Sequence, residues 1–325
     1  MRRACITGGA GFIGSNLADR LVADGVEVVV VDDFRTGRRS FLDQLAGNAL
    51  FRLVEGDVLD EAVLKDAFGG CDWVFHLQAN ADVRHGLEHP LLDLEQNTVA
   101  TARVLDAARR SGVKNVLFSS TGSVYGEPEV FPTPENAPFP LQTSLYGASK
   151  LAGEGLISAF SIGFSLTAVV CRFVSILGER YTHGHVIDFF RALRTDPTEI
   201  TVLGDGRQEK SYLYVQDCVE AMLTAAAHHE DRGGTHVYNL GTDETIVVDD
   251  SLALICATLG CSPKVRHTGG TRGWTGDSPL IRLDTSKIRA LGWSPQLSIA
   301  EAVRRTVEWL GDNEAIWQAP AGGAP

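Results

Sequence analysis

The chain has 325 residues, 44% of them apolar and 22% charged. That composition excludes a fibrous or disordered protein, and at about 150 residues per domain it predicts about two domains. Asp and Glu outnumber Lys and Arg by 41 to 29, a net charge of -12, which excludes nucleic acid or an anionic membrane surface as the main partner. No run approaches the ~18 apolar residues of a membrane span. The six cysteines (Cys5, Cys71, Cys171, Cys218, Cys256, Cys261) form no CxxC pair, and we expect reduced thiols in a cytoplasmic protein.

The first predicted element is a short apolar strand, 4–7, that runs into Thr7-Gly8-Gly9-Ala10-Gly11-Phe12-Ile13-Gly14. Ile13, Leu17 and Leu21 then give helical spacing over 13–23. Glycines at 8, 11 and 14 between a strand and a helix suit a dinucleotide. Gly8 permits the tight turn, Gly11 lets backbone approach a pyrophosphate, and Gly14 lets the helix pack on the sheet. The helix N-terminus adds N–H groups for the phosphates. Strand 26–31 is a β-branched run, as burial on both faces requires, and it ends in Asp32-Asp33. A carboxylate there suits the ribose hydroxyls of NAD and repels a 2′-phosphate, so NAD is the expected cofactor. Arg35, Arg38 and Arg39 lie just beyond and keep NADP as the alternative.

Strands 50–54, 73–77, 116–119 and 167–173 follow, with helical patterns between them such as 99–110. Alternating strands and helices predict an α/β fold with a doubly wound parallel sheet. Strand 116–119 opens into the hydroxyl cluster Ser119-Ser120-Thr121-Gly122-Ser123-Val124-Tyr125-Gly126. Next comes Tyr146-Gly147-Ala148-Ser149-Lys150, with Tyr and Lys on one helix face. A lysine ~5 Å from a phenolate contributes roughly 3 kcal/mol at an effective dielectric of 20, about two pKa units. Tyr146 is therefore expected to act as base and then acid on an alcohol held by Thr121.

After residue 174 the pattern loosens into strands 200–203 and 236–239 and helices 186–193, 215–228, 251–259 and 299–309. We expect a nucleotide-binding domain over 1–174 with a crossing-back segment at about 211–238. A smaller substrate domain is expected over 175–210 and 239–315, followed by a disordered tail, 318–325. His183-x-His185 and His228-His229 lack further ligands at metal spacing, so no metal is expected.

Together these motifs resemble the extended short-chain dehydrogenase/reductase superfamily, in its nucleotide-sugar epimerase/dehydratase branch, over about residues 3–312. The residues that carry the resemblance are TGGAGFIG (7–14), Asp32-Asp33, Gly56-Asp57-Val58, Phe75-His76-Leu77, Asn97-Thr98-Val99-Ala100-Thr101, SSTGSVYG (119–126) and YGASK (146–150). The resemblance implies a Rossmann sheet with a smaller α/β substrate domain. It implies NAD held by Gly8, Gly11, Phe12, Ile13, Gly14, Asp32 and Asp33, with Asp57 and Val58 at the adenine. Leu77 would lie along the cofactor, Asn97 would support the nicotinamide end, and Tyr146 and Lys150 would sit at the reacting end. Gln78 stands where the family pattern has alanine. The segment Gly204-Asp205-Gly206-Arg207-Gln208-Glu209-Lys210-Ser211-Tyr212 looks like the family's diphosphate-holding segment, with Lys210 in place of an arginine. Arg272, five residues before Asp277, looks like its second phosphate-binding arginine. Leu291-Gly292-Trp293-Ser294-Pro295 resembles a late structural segment.

Dehydratases of this branch carry Thr-Asp-Glu where this chain has Thr121-Gly122-Ser123, and decarboxylases carry Glu at the place of Ser123. The resemblance then leaves 4-epimerisation of a UDP-sugar through a 4-keto intermediate. Ser175 replaces the family's asparagine and Glu179 its proline. Ser175 and Arg180 are expected to receive a C6 carboxylate, which points to UDP-glucuronate and UDP-galacturonate. The expected substrate contacts are Thr121, Ser123, Ser175, Arg180, Lys210 and Arg272. UDP-glucose 4-epimerase, UDP-glucuronate decarboxylase and 4-keto-sugar reductase are the alternatives. A non-catalytic NAD sensor is expected to lack Tyr146 and Lys150. A homodimer is expected, by analogy with relatives, through helices 99–110 and 149–160.

Overall fold

The computed structural model describes residues 1–81, 88–139, 141–274, 278 and 280–318. Among them, seven parallel strands form one sheet: β1 (Arg3–Thr7), β2 (Glu27–Asp32), β3 (Phe51–Glu55), β4 (Trp73–His76), β5 (Asn115–Thr121), β6 (Thr167–Phe173) and β7 (Gly234–Leu240). Their order is β7-β6-β5-β4-β1-β2-β3. The chain runs outward from β1 in one direction and then returns to β4, so the sheet reverses between β1 and β4. This is the doubly wound Rossmann sheet expected from the alternating strands and helices.

The apolar runs are continuous because both faces of the sheet are covered. Ala4, Ile6, Val28, Val30, Trp73, Phe75, Leu117 and Val169 enter one core. Their neighbours Cys5, Val29, Val31, Val74, Val116, Phe118, Ala168 and Val170 enter the other. Helices α1 (Phe12–Ala23) and α6 (Val215–His229) contribute Leu17, Leu21, Val219 and Met222 to the first core. Helices α2 (Glu61–Phe68), α3 (Ala100–Arg110) and α4 (Leu145–Phe164) contribute Leu64, Phe68, Val104, Leu105 and Ile157 to the second.

The remaining elements extend the carboxyl side of this sheet. Ser175–Leu177 pairs in parallel with Tyr212–Tyr214. Glu209–Lys210 lies between Ile246–Val247 and Leu280–Ile281. Helix α8 (Ile299–Asp312) packs on α5 (His185–Thr195) and α7 (Val248–Leu259). Strand 236–239 of the sequence reading is β7, paired with β6 inside the large sheet, to which the crossing-back segment returns. Of the tail expected to lack order, Gln318 ends a helix, Glu314–Gln318; residues 319–325 lie outside the described residues. Among the described residues no helix is long and apolar enough to cross a membrane, and all six cysteines are free thiols.

Candidate active site

The glycine loop lies at the carboxyl ends of β1 and β4, where the sheet reverses and ligand crevices form. Gly8 has φ +71°, and a Cβ there would stand 2.7 Å from the Gln78 backbone. A Cβ at Gly14 would stand 2.3 Å from the Gly8 carbonyl oxygen and 2.8 Å from Gly9 Cα. Gly14 therefore seats α1 against its own loop. The contact with the sheet, expected from Gly14, belongs to Gly9, whose Cβ would meet the Val30 side chain at 2.6 Å. Helix α1 starts at Gly11 with no side-chain cap. Its first-turn N–H groups thus face the crevice without a competing acceptor, and a pyrophosphate fits that cradle. Gly14→Ala is expected to weaken NAD binding about 10- to 100-fold, the equivalent of 1–3 kcal/mol of overpacking; equilibrium titration with NAD checks it.

The two carboxylates at the end of β2 divide their work. Asp32 is buried and accepts from the Ala10 N–H at 2.8 Å and the Phe34 N–H at 2.9 Å, bracing the loop. Burial pushes its carboxyl up, opposed by those two N–H groups. Asp33 is exposed and pairs with Arg35 at 3.1 Å; Arg35 also reaches Asp57 at 3.2 Å. Arg38 donates to the Ile316 carbonyl, and Arg39 pairs with Glu55 and lies over Phe34. Of the three arginines that kept NADP open, Arg38 and Arg39 are engaged elsewhere, and Arg35 is held by Asp33 and Asp57. Val58 is buried, and the Leu77 N–H donates to the Thr7 carbonyl at 3.1 Å, beside the loop.

Tyr146 and Lys150 sit in the first turns of α4, which starts at Ser144, whose hydroxyl accepts from the Gly147 N–H at 3.0 Å. Thr121 lies at the end of β5, with its hydroxyl in reach of the Tyr146 phenol. The Thr121 Oγ also accepts from the Ser123 N–H at 3.1 Å and donates to the Ser123 Oγ at 3.2 Å. The structure thus gathers Thr121, Ser123, Tyr146 and Lys150. Their electrostatics differ from the sequence expectation. Burial pushes the Tyr146 phenol up to about 12, the nearby Asp93 charge adds to this, and the Thr121 hydrogen bond opposes it. Lys150 is pushed down to about 7 by burial, against the pull of Asp93 and Glu154. Its Nζ donates to the Ser119 carbonyl at 2.8 Å and lies over the Phe118 ring. The ~5 Å Coulomb argument took both groups in a polarisable medium. Here desolvation of each charged form dominates, so the protein alone holds a neutral phenol.

Four residues of this site, Arg172, Glu154, His76 and Asp93, were given no role by the sequence reading. Arg172, at 3% exposure, forks onto Glu154 at 3.0 and 2.7 Å and donates to the Tyr125 hydroxyl at 2.6 Å. Tyr125 passes a hydrogen bond to Asn239 of β7. Ser120 also donates to Glu154. This network ties α4, which carries Tyr146 and Lys150, to β5, β6 and β7. A lone arginine inside the apolar run 166–177 was its signal. His76 stands buried between Thr7 Oγ1 (2.8 Å) and Thr101 Oγ1 (3.0 Å). Thr101 spends its hydrogen on the Asn97 carbonyl, so the His76 Nε2 carries the proton and Nδ1 accepts from Thr7. Burial, then Lys150, push His76 down to about 3, which keeps it neutral. Asn97 sits in a π-helical turn, Leu94–Val99, that precedes α3, and reaches Ser149 Oγ at 2.9 Å. Asp93, the fourth, accepts from Asn80 and Asn97.

Ser175 is exposed at the mouth of its strand. Arg180 lies beside α1. Its φ is +70°, and its guanidinium turns to α1, pairing with Asp19 at 2.6 Å and lying over Phe41. The charge expected to meet a sugar carboxylate is thus neutralised beside the glycine-loop helix. Glu179 takes both oxygens to the Tyr214 hydroxyl at 2.8 Å. On the diphosphate side, Lys210 lies over the Trp274 ring at 4.9 Å. Arg272 pairs with Glu127 at 2.6 Å, and its carbonyl abuts Gly204. The two expected phosphate cations therefore sit on adjoining segments; Asp277, used to align Arg272, lies outside the described residues. His185 is partly buried and bridges Ser251 and Tyr212. Burial, then Lys210, push it down to about 3.

Comparison with known proteins adds four findings. A family model described as the NAD dependent epimerase/dehydratase family matches residues 4–241. The UDP-glucose 4-epimerase of Mycolicibacterium smegmatis is 34% identical over 316 residues, covering 95% of this chain and 98% of that protein. The solved UDP-glucose 4-epimerase of Thermotoga maritima with UDP-glucose superposes with a TM-score of 0.86 at 30% identity, covering 96% and 99%. MoeE5 in complex with UDP-glucuronic acid and NAD gives 0.83 at 28% identity, with the same coverage.

Proposed function

The chain belongs to the NAD-dependent epimerase/dehydratase family, and from that premise we propose that it epimerises a UDP-sugar at C4, using bound NAD. The observation that carries this reading is the end of β5. Thr121 meets Tyr146 there, and the next two residues, Gly122 and Ser123, carry no carboxyl group. Gly122 is buried, and a Cβ on it would stand 3.3 Å from the Phe173 carbonyl oxygen and 3.5 Å from Leu283. A side chain there would press on the Phe173 carbonyl, and neither Gly122 nor Ser123 supplies the carboxyl group that dehydration requires.

Tyr146 accepts the proton of the sugar 4-hydroxyl and later returns it. Thr121 holds the reacting oxygen against the phenol, and Ser123 hydrogen-bonds the sugar. Lys150 carries the positive charge that lowers the cost of a phenolate. Lys210 and Arg272 hold the diphosphate while the 4-keto sugar presents its other face. NAD, held by the loop from Gly8 to Gly14, Asp33, Asp57, Val58 and Leu77, supplies a hydride acceptor and then a hydride donor.

For the sugar, UDP-glucose is the reading we favour. The relatives at 30% identity or more cited above are UDP-glucose 4-epimerases. UDP-glucuronate is the second reading, supported by the open Ser175 and by the likeness to MoeE5; Arg180 no longer speaks for it. NMR product analysis on UDP-glucose, UDP-glucuronate and UDP-xylose, with CO₂ release followed, separates the cases. We expect UDP-galactose from UDP-glucose. UDP-galacturonate alone would select the second reading, and a pentose would reject epimerisation.

We also propose a homodimer. Leu91, Leu94 and Val99 are exposed on the helical run before α3, as are Ile162 (82%) and Phe164 on α4. Two adjacent helices with bare apolar side chains suit a second copy of themselves. Ile162→Glu with Leu94→Glu is expected to halve the mass measured by light scattering; a wild-type monomer would defeat the proposal.

A further inference from the structure

Asp93 is 1% exposed, yet the proton transfer described above does not use it. It closes the short helix Pro90–Asp93, directly before the π-helical turn. Its Oδ1 accepts from Asn80 Nδ2 at 2.8 Å and from Asn97 Nδ2 at 3.3 Å. Asn97 clamps Asn80 further, accepting its N–H at 2.8 Å and donating to its carbonyl at 3.2 Å. The same Asn97 amide reaches Ser149 Oγ, and Thr98 donates to the Ser149 carbonyl at 3.2 Å. The contacts therefore run from Asp93 into α4 one residue before Lys150.

Charge follows the same path. Among the described residues, the titratable groups coupled to Lys150 are Asp93 from the helical run, Glu154 from α4 and His76 from β4, with Tyr146 one turn earlier on α4. Glu154 is shared with the Arg172 fork, and His76 is neutral. We propose that Asp93 is a positioning residue whose buried carboxylate fixes the Asn80–Asn97 pair against α4 and favours the ammonium form of Lys150. The inference rests on Tyr146 and Lys150 being the proton-transfer pair. Its sign is definite. A negative charge at Asp93 favours protonated Lys150 and disfavours a Tyr146 phenolate.

The test is a titration of the full chain labelled at lysine Cε with ¹³C. The Lys150 resonance is assigned by its loss in Lys150→Met. In Asp93→Asn the Lys150 midpoint is expected to fall by about one pH unit from its wild-type value. The alkaline limb of the pH profile of kcat should move the same way, on whichever UDP-sugar is turned over, with KM little changed. Asp93→Glu should restore much of both. An unmoved midpoint in folded Asp93→Asn overturns the proposal, and so does a kcat lowered equally at every pH. If Asp93→Asn does not fold, Asp93→Ser carries the same measurement. A shifted midpoint in a protein that turns over no UDP-sugar sinks the epimerase reading and leaves the Asp93 assignment standing.

Discussion

Tyr146→Phe is expected to lower kcat by about 10²–10⁴-fold, the usual worth of a positioned acid–base group. KM and stability should change little. The half-buried phenol has Thr121 as its nearby hydroxyl partner, and Thr121 keeps its bonds to Ser123 in the variant. Steady-state rates with NMR detection of the product check this; a loss under tenfold would mean that another group takes the proton. A phenol near 12 in the protein alone leaves a wide gap to neutral pH, so the bound substrate and cofactor must close most of it. The kcat profile should therefore rise with an apparent pKa well below 12.

Lys150 has the matching stability signature. Its folded pKa, about 7, lies below the usual 10.5, so between these values the unfolded chain holds the extra proton and stability rises with pH. The contribution is fully present above about 10.5 and lost as pH falls through about 7. Lys150→Met should flatten that slope in urea unfolding measured from pH 6 to 10.

The largest stability effect is expected at Arg172. Arg172→Leu leaves Glu154 buried without its fork, which costs about 3–5 kcal/mol, whereas Arg172→Leu with Glu154→Leu should recover much of it. Denaturant unfolding measures both. A single-variant loss under about 1 kcal/mol would mean that Ser120 and water satisfy Glu154 unaided. The kcat of folded Arg172→Leu should drop less than that of Tyr146→Phe, because Arg172 acts through the seating of α4.

The legible features were those with short-range signatures. Val28 to Val31 could only be a strand buried on both faces, and Tyr146 with Lys150 meet by helical spacing alone. The arrangement of Gly8 to Gly14 was readable, but which glycine touches which neighbour was not. Gly9 meets Val30 and Gly14 meets Gly8 only once the loop has turned back. Arg180 shows the larger limit. Its place in the motif pointed to the sugar, but a left-handed backbone at that residue sends the side chain to Asp19, 161 positions earlier. Asp93 and Glu154 look like ordinary helix charges until folding buries them beside Lys150. The fall in Tyr146 pKa was misjudged for the same reason, since the cost of burial has no sequence signature.

The placement of β7 bears on how the protein is made. The edge of β6 is completed by residues 234–240, after the whole stretch 174–233 has been synthesised. At ribosomal rates of about 5–20 residues per second, β6 spends roughly 3–12 s with bare N–H and C=O groups along one side. Such an edge is open to another nascent chain, and Asn239, which accepts from Tyr125, arrives only with β7. Premature termination anywhere in 174–233 would therefore release a product that aggregates instead of a smaller working nucleotide binder.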